Sequence, residues 1–439
     1  MIQTKTEAID LIYSSYNKAK TSSDEITRVQ YLARELLNSL GSPDNHKQIV
    51  LVTGSKGKGS TASFISSLLH RLGYKTGLFT SPHYISFNER VQVNGIPISD
   101  SDFVRLANRV APHVYKIVER LKANEYLGPI AINLAIALLY FSEKQVDFII
   151  LEAGKGGKND DTNVVHNQWS VITPIFNEHI DELGPTISHI ITHKLGIIKK
   201  NSVTLISKQQ KNIVKEIDKS LAAHENVFTY ERDFSVLHSD ISKSGMTFDF
   251  KTSRAIYKNL HVPLFGSFQC ENIALAVQTC ERILGKMINQ TEIHQWLKTL
   301  TNFGKCELLL DEPVVIADAT INEHSATYLR EVITYFSRKN VVAIVGLSRD
   351  KDYKGVVHTL APFTKRCIIS KPTKGYKSFH EQEIFHYSSH LLPCEVVSSP
   401  EEAVKHALNQ SKNDLIVVVG NHSFIAETRQ WFTTIVQPI

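Results

Sequence analysis

Gln48-Ile49-Val50-Leu51-Val52-Thr53-Gly54-Ser55-Lys56-Gly57-Lys58-Gly59-Ser60 is the stretch that decides the fold. Its first six residues form a short apolar run of buried-strand type, as expected of a parallel sheet covered on both faces. The glycine loop Gly54–Gly59 follows, and Ser60 opens a helix carrying Ile65, Leu68, Leu69 and Leu72, with Gly73 placed as a C-cap glycine. Between a strand and a helix, exposed backbone N–H groups and the helix's positive end can hold phosphate oxygens. The segment therefore reads as a nucleoside triphosphate cradle. Lys58 supplies the point charge near the transferred phosphate, and the Ser60 hydroxyl lies near or on a magnesium ion. The spacing GxxGKGS is shorter than the general GxxxxGK[ST] pattern. A glycine-rich surface turn is the alternative, and the flanking strand and helix argue against it.

Upstream, residues 5–40 read as two amphipathic helices, with Ala8, Leu11, Ile12 and then Val29, Leu32, Leu36, Leu37 and Leu40 at helical spacing, ended by Gly41-Ser42-Pro43. Downstream, buried strands are expected at Val146–Leu151, at Ser170–Ile175 and, after a polar stretch near 230–258, in the region leading to Pro263-Leu264-Phe265. Helical segments between them imply a parallel sheet. After about residue 300 the rhythm changes: Val314–Ala317, Val341–Val345, Arg366–Ile369 and Leu415–Val419 alternate with helices at 323–337, 400–409 and 423–433. This predicts a second, smaller α/β unit, giving domains at 1–300 and 301–439.

The 439 residues leave room for two or three domains and an ample core. With 42% hydrophobic and 21% charged residues the chain is an ordinary globular one, not disordered or fibrous. A formal net charge of +5 suits anionic small molecules but is too diffuse for nucleic acid. Cys270, Cys280, Cys306, Cys367 and Cys394 form no CxxC pair and are odd in number, so buried thiols in a reducing compartment are expected. Met1–Lys5 lacks the signature of a signal peptide, and no apolar run approaches the ~20 residues of a membrane span. A cytoplasmic, soluble protein is the expectation, with no nucleic-acid or membrane partner.

Thr53–Ser60, followed by Gly77-Leu78-Phe79-Thr80-Ser81-Pro82-His83 and Phe87-Asn88-Glu89-Arg90-Val91, resembles the folylpolyglutamate synthase/dihydrofolate synthase family of the Mur ligases. The resemblance continues through Leu151–Val165, Ile172-Thr173, Glu178–Gly184 and His193–Lys199, with weaker echoes at Gln269, Asn272, Phe303-Gly304-Lys305, Asp318–Asn322, Asp350-Lys351-Asp352 and Gly420–Ser423. It implies an α/β fold, with an N-terminal P-loop parallel-sheet ATPase domain of Mur ligase type and a smaller C-terminal Rossmann-like domain that binds the amino acid. It also implies an ATP-dependent ligase. ATP converts an acceptor carboxylate into an acyl phosphate, and the amine of an amino acid, L-glutamate in the family, displaces phosphate. Such steps call for cations and oriented N–H donors, not a Ser-His-Asp nucleophile.

By the same resemblance, Ser81, Glu152 and His179 match the magnesium-site positions, and Lys194 matches a lysine often carbamylated to help order a second metal. Glu152 also follows an apolar strand, at the end where open α/β sheets bind ligands. Gly54, Gly57, Lys58, Gly59 and Ser60 form the cradle; Asn272, Lys305 and Asp318 match positions for adenine, phosphate and ribose. Lys58, His179 and Lys194 are the expected catalytic groups, ATP and Mg2+ the cofactors, and a monomer acting on a small carboxylate acceptor and an amino acid the expected state. Departures from the family are Lys305 and Lys158 for arginines, Phe268 and Ile321 for histidines, and Ile130-Ala131 for a Phe-Glu pair facing the acceptor. Losing that carboxylate can change acceptor discrimination. The same chemistry on a non-folate acceptor, or an inactive nucleotide-binding regulator, are the alternatives. His83 and Arg90 have no assigned role; Asp350-Lys351-Asp352 reads as cleft lining or a solvent loop, and Lys371–Lys377 as a solvated loop.

Overall fold

The computed structural model describes residues 1–336, 340–373, 379, 381–410 and 414–436. Its contacts divide the chain into two units. The first comprises Met1–Val236, Phe250–Tyr257 and Glu271–Trp296; the second comprises Leu237–Asp249, Lys258–Cys270 and Leu297–Ile439.

The first unit begins with α1 (Lys5–Ser22), β1 (Thr27–Arg28) and α2 (Tyr31–Ser39). It continues through β2 (Gln48–Thr53), α3 (Lys58–Arg71), β3 (Thr76–Phe79), β4 (Val91–Val93), β5 (Ile96–Pro97), α4 (Asp100–Val118), β6 (Glu125–Tyr126) and α5 (Pro129–Glu143). Then come β7 (Phe148–Glu152), β8 (Trp169–Ile172), α6 (Ile180–Leu183), α7 (Ile187–Leu195), β9 (Val203–Ile206), α8 (Lys211–Ser220) and β10 (Val227–Thr229). Eight strands form one sheet in the order β10-β9-β8-β2-β7-β3-β4-β5. It is parallel from β10 to β3 and antiparallel only at β4 and β5.

β2 lies inside this sheet with every residue after Gln48 buried, as its unbroken apolar run requires. Helix α5 is buried continuously from Ala131 to Phe141, which its apolar sequence allows, and Pro129 at its first turn fits a position whose N–H has no helical partner. Each large aliphatic side chain so buried contributes roughly 1.5–3 kcal/mol. Gly77 is small of necessity: a Cβ there would stand 2.7 Å from the Phe141 ring. β8 stops at Ile172, short of the expected Ile175, because Pro174 has no N–H to continue the ladder.

The polar stretch near 230–258 is not a connection. It carries β11 (Ser235–Ser242) and β12 (Gly245–Lys251), which join β13 (Ile256–Val262), the strand leading to Pro263, in a three-stranded sheet. Met246, Phe248 and Phe250 are buried while the residues between them are not, the alternation of a half-covered sheet. Helices α9 (Ser267–Leu284) and α10 (Gln290–Leu297) follow.

The second unit's sheet runs in the order β14-β15-β19-β16-β17-β18, from β14 (Glu307–Asp311), β15 (Val314–Asp318), β16 (Val341–Gly346), β17 (Thr364–Ile369), β18 (Cys394–Val396) and β19 (Leu415–Gly420). Only β14 is antiparallel. The helices are α11 (Glu323–Phe336), α12 (Tyr353–Leu360), α13 (Glu381–Ser389), α14 (Pro400–Gln410) and α15 (His422–Val436). β14, β18, α12 and α13 go beyond the sequence expectation. Asp352 caps α12, its carboxylate accepting the Gly355 N–H at 2.9 Å. Lys371 pairs with Glu381 at 2.6 Å; positions 374–377 of that basic run lie outside the described residues. All five cysteines are free thiols, four buried and Cys394 half-buried. Among the described residues no helix is long and apolar enough to cross a membrane.

Candidate active site

The glycine loop leaves β2 through positions that only glycine fits. Gly54 has φ +144°, and a Cβ there would stand 1.9 Å from Thr173 Oγ1; Gly57 has φ +85°, and its Cβ would stand 2.8 Å from Asn272 Oδ1. Ser55 straps the loop to the segment after β8, donating its N–H to the Pro174 carbonyl at 2.8 Å and exchanging hydrogen bonds with the Phe176 backbone. α3 starts at Lys58, two residues before the expected Ser60, with Gly57 as an N-cap that makes no side-chain capping bond. Its first amides are thus left to an anion. The Lys58 ammonium folds back over the loop and donates to the Gly54 carbonyl at 2.9 Å.

Two groups of side chains meet this loop. Glu152, last residue of β7 and opposite Val52 in register, is buried; its Oε2 accepts the Ser81 N–H at 3.0 Å and would lie 3.2 Å from a Cβ on Gly59. Ser81, Glu152, Gly59 and the adjoining Ser60 are therefore neighbours. The second group is Lys194, Glu178 and His179. Lys194, on α7, is fully buried and donates to Glu178 Oε1 at 2.7 Å. Burial pushes its ammonium down to about 8; Glu178 resists and the nearby Lys58 charge assists. Burial likewise opposes a charge on Glu178, but Lys58 and Lys194 outweigh it and hold the carboxylate below its usual range. His179 is the N-cap of α6 with φ +48°, its ring 3.4 Å from Glu182 and 3.9 Å from Glu178. Glu178 is the residue the sequence reading passed over, although it opens the Glu178-His179 motif.

Asn272 sits on α9 and accepts from the Thr61 hydroxyl at 3.4 Å, with its amide oxygen against Gly57. Lys305 and Asp318 lie in the second unit. Asp318, at the end of β15, accepts the Cys306 N–H at 2.8 Å and the Thr320 hydroxyl. The Lys305 carbonyl accepts from Gln269 at 3.4 Å. Among the described residues no three His, Cys, Asp or Glu side chains form a metal-holding group, so any ion at Glu152 would draw on hydroxyl oxygens as well.

Two further clusters border this region of the first unit. Arg90 donates to His83 Nδ1 at 3.1 Å and lies over the Phe87 ring at 4.5 Å; burial lowers its guanidinium from its ordinary value, against the pull of Tyr13 and Glu152. Burial, then the Arg90 charge, pushes His83 down to about 4. At the head of α5, Ala131 is buried and donates its N–H to Asp161 Oδ2 at 3.2 Å, while Arg28 pairs with that oxygen at 2.7 Å. Burial pushes Asp161 up to about 6 against the pull of Arg28.

A glycine cradle with a folded-back lysine, set against a buried glutamate and a buried lysine, is the arrangement of a P-loop ligase of Mur type, and the Mur ligase middle domain family matches residues 52–280. The dihydrofolate synthase/folylpolyglutamate synthase of Bacillus subtilis (strain 168) is 30% identical over 406 residues, covering 90% of this chain and 93% of its own. The structure of Mycobacterium tuberculosis folylpolyglutamate synthase complexed with ADP and AMPPCP superimposes with a TM-score of 0.86 at 24% identity, covering 96% of this chain and 99% of that one. An FPGS–AMPPCP–folate complex gives 0.78 at 26% identity, covering 98% and 99%. The chain belongs to the folylpolyglutamate synthase/dihydrofolate synthase family, and is thus an ATP-dependent acid–amino-acid ligase.

Proposed function

We propose that the chain activates a folate-type carboxylate, that of dihydropteroate or the γ-carboxylate of a folate, and joins it to L-glutamate. The observation that carries this reading is the loop Gly54–Ser60 held against Glu152 on one side and within the field of Lys194 and Glu178 on the other. Gly54, Gly57 and Gly59 let main-chain amides close on the triphosphate. Lys58 would exchange its bond to the Gly54 carbonyl for the phosphate whose transfer makes the acyl phosphate, stabilising charge as it develops. Asn272 would border the adenine, and Lys305 and Asp318 the phosphate and ribose. Domain roles of ATP binding for 1–300 and amino-acid binding for 301–439 belong to this proposal, as do a monomeric, cytoplasmic state and the absence of a nucleic-acid partner.

The buried Glu152 carboxylate beside Ser81 and Ser60 has the hard oxygen chemistry that suits Mg2+; His179, whose ring lies against Glu178 and Glu182, would have to turn toward it to be a further donor. The ion would supply neutralisation of phosphate charge. Lys194 is depressed toward neutrality, the form that carbamylation requires, but its ion pair with Glu178 must open first. The ion-paired and carbamylated lysines are alternative states.

The buried Ala131, with Asp161 and Arg28 beside it, favours a second reading in which the acceptor is not a pterin. Phosphate release measured with pairs of acceptors and amino acids tests both. Turnover that needs an acceptor and glutamate together supports the ligase; turnover with no pair, despite nucleotide binding, would leave only a regulator.

A further inference from the structure

The outer edge of the second unit's sheet brings two sulfurs together. β18 is three residues long and pairs with β17 in parallel, with Cys394 opposite Cys367 in register. Residues opposed on parallel strands face the same side, and the lateral spacing of about 4.8 Å between strands falls within the roughly 4.4–6.8 Å Cα separation that a disulfide accepts. The two thiols perturb each other's titration, as close neighbours do, and Cys394 Sγ donates to the Leu392 carbonyl at 3.1 Å. Their accessibility differs. Cys367 is 2% exposed, whereas Cys394 is half-buried on the edge strand; Cys270, Cys280 and Cys306 are at 1% or less. Solvent oxidants therefore meet Cys394 first, with a second sulfur already behind it.

We propose that Cys367 and Cys394 form an oxidative modification site, which hydroperoxides convert to an intramolecular disulfide pinning β18 to β17. The Cys394 thiolate attacks a peroxide oxygen, the O–O bond breaks, hydroxide leaves and Cys394 becomes a sulfenic acid. The Cys367 thiol then gives its proton to that hydroxide, its sulfur attacks the Cys394 sulfur, and the S–O bond breaks to release a second hydroxide, which takes the proton first lost by Cys394. Two thiols and one hydrogen peroxide thus yield one disulfide and two waters. The division of roles follows from exposure and local chemistry: Cys394 is the more exposed sulfur and the neighbouring Cys367 lowers its thiol from its ordinary value, while Cys394 and burial raise Cys367. The site does not depend on the ligase reading, because nothing in it involves the nucleotide loop.

The test uses the full chain, treated with hydrogen peroxide and digested without reductant. Mass spectrometry is expected to find one cross-linked peptide pair joining Cys367 to Cys394, lighter by two hydrogens than its parts and reversed by dithiothreitol. Titration should then count a loss of two of the five thiols. Cys394→Ser is expected to abolish the cross-link, and Cys367→Ser to leave a Cys394 sulfenic acid that dimedone traps. The proposal is overturned if both thiols stay reduced, if Cys394 proceeds to sulfinic acid without cross-linking, or if the bond joins two chains. The wild-type peptide map decides the matter alone should either variant fail to fold.

Discussion

Glu178→Gln isolates what one buried carboxylate does for Lys194. The native lysine is fully buried, titrates at about 8 in place of its ordinary 10.5, and has Glu178 at 2.7 Å as its counter-charge. Because the folded value is the lower one, the folded protein binds fewer protons than the unfolded chain between those two values, so stability rises with pH across that window. The amide removes the attraction that keeps the ammonium charged, and the folded value drops further. An uncompensated buried cation costs more than losing the proton, so the lysine turns neutral. If the folded value falls below about pH 7, the variant binds one proton fewer than the native fold between that pH and about 8. At 1.36 kcal/mol per unit this group alone makes it about 1.4 kcal/mol less stable at pH 7, a deficit that fades toward pH 8. The lost stabilisation of the Glu178 carboxylate adds an offset that is constant above the carboxylate range. Urea unfolding of both proteins across this range reads the difference, and NMR titration of 13C-labelled lysine reads the Lys194 value directly. A deficit with no pH dependence, together with an unmoved Lys194 titration, would refute the argument that Glu178 sets the charge of this lysine.

Three other outcomes are expected. Lys58→Ala should reduce ATP turnover by about 10²–10³-fold with far-ultraviolet circular dichroism unchanged, since the half-buried ammonium supports the loop and not the core; native rates would refute the cradle. Gly59→Ala places a methyl 3.2 Å from Glu152 Oε2, so calorimetry should show weaker magnesium-dependent nucleotide binding in a folded protein, and unaltered binding would separate Glu152 from the metal. Dihydropteroate should be a poorer acceptor than for family members with a carboxylate at the position of Ala131, and efficient glutamylation at low micromolar acceptor would count against a changed pocket.

How far the sequence can be read depends on how local each feature is. The cradle is legible because strand, loop and helix are consecutive, and the loop's conformation is written in its glycines at Gly54 and Gly57. Glu152 is legible as the end of an apolar strand. The Glu178–Lys194 pair is not, because it forms between side chains 16 residues apart and depends on the angle at which α7 returns. Nor is the Arg28–Asp161 pair, which joins a two-residue strand to a single 3-10 turn far along the chain. In the stretch holding β11 and β12, overall polarity hides a period-two pattern at Met246, Phe248 and Phe250. Resemblance to the family supplied roles for Ser81, His179 and Lys194 that residue types alone do not carry.

The parallel pairing of β2 with β7 has a further implication. Val52 and Glu152 stand side by side only while the two strands keep step, and neighbouring residues on a strand point to opposite sides. Deleting a single residue between Phe148 and Leu151 would turn the glutamate away from the loop even if every other atom of the sheet stayed in place. The chemistry at Gly59 is thus exposed to frame-preserving indels in β7, a class of change that scans based on substitution never sample.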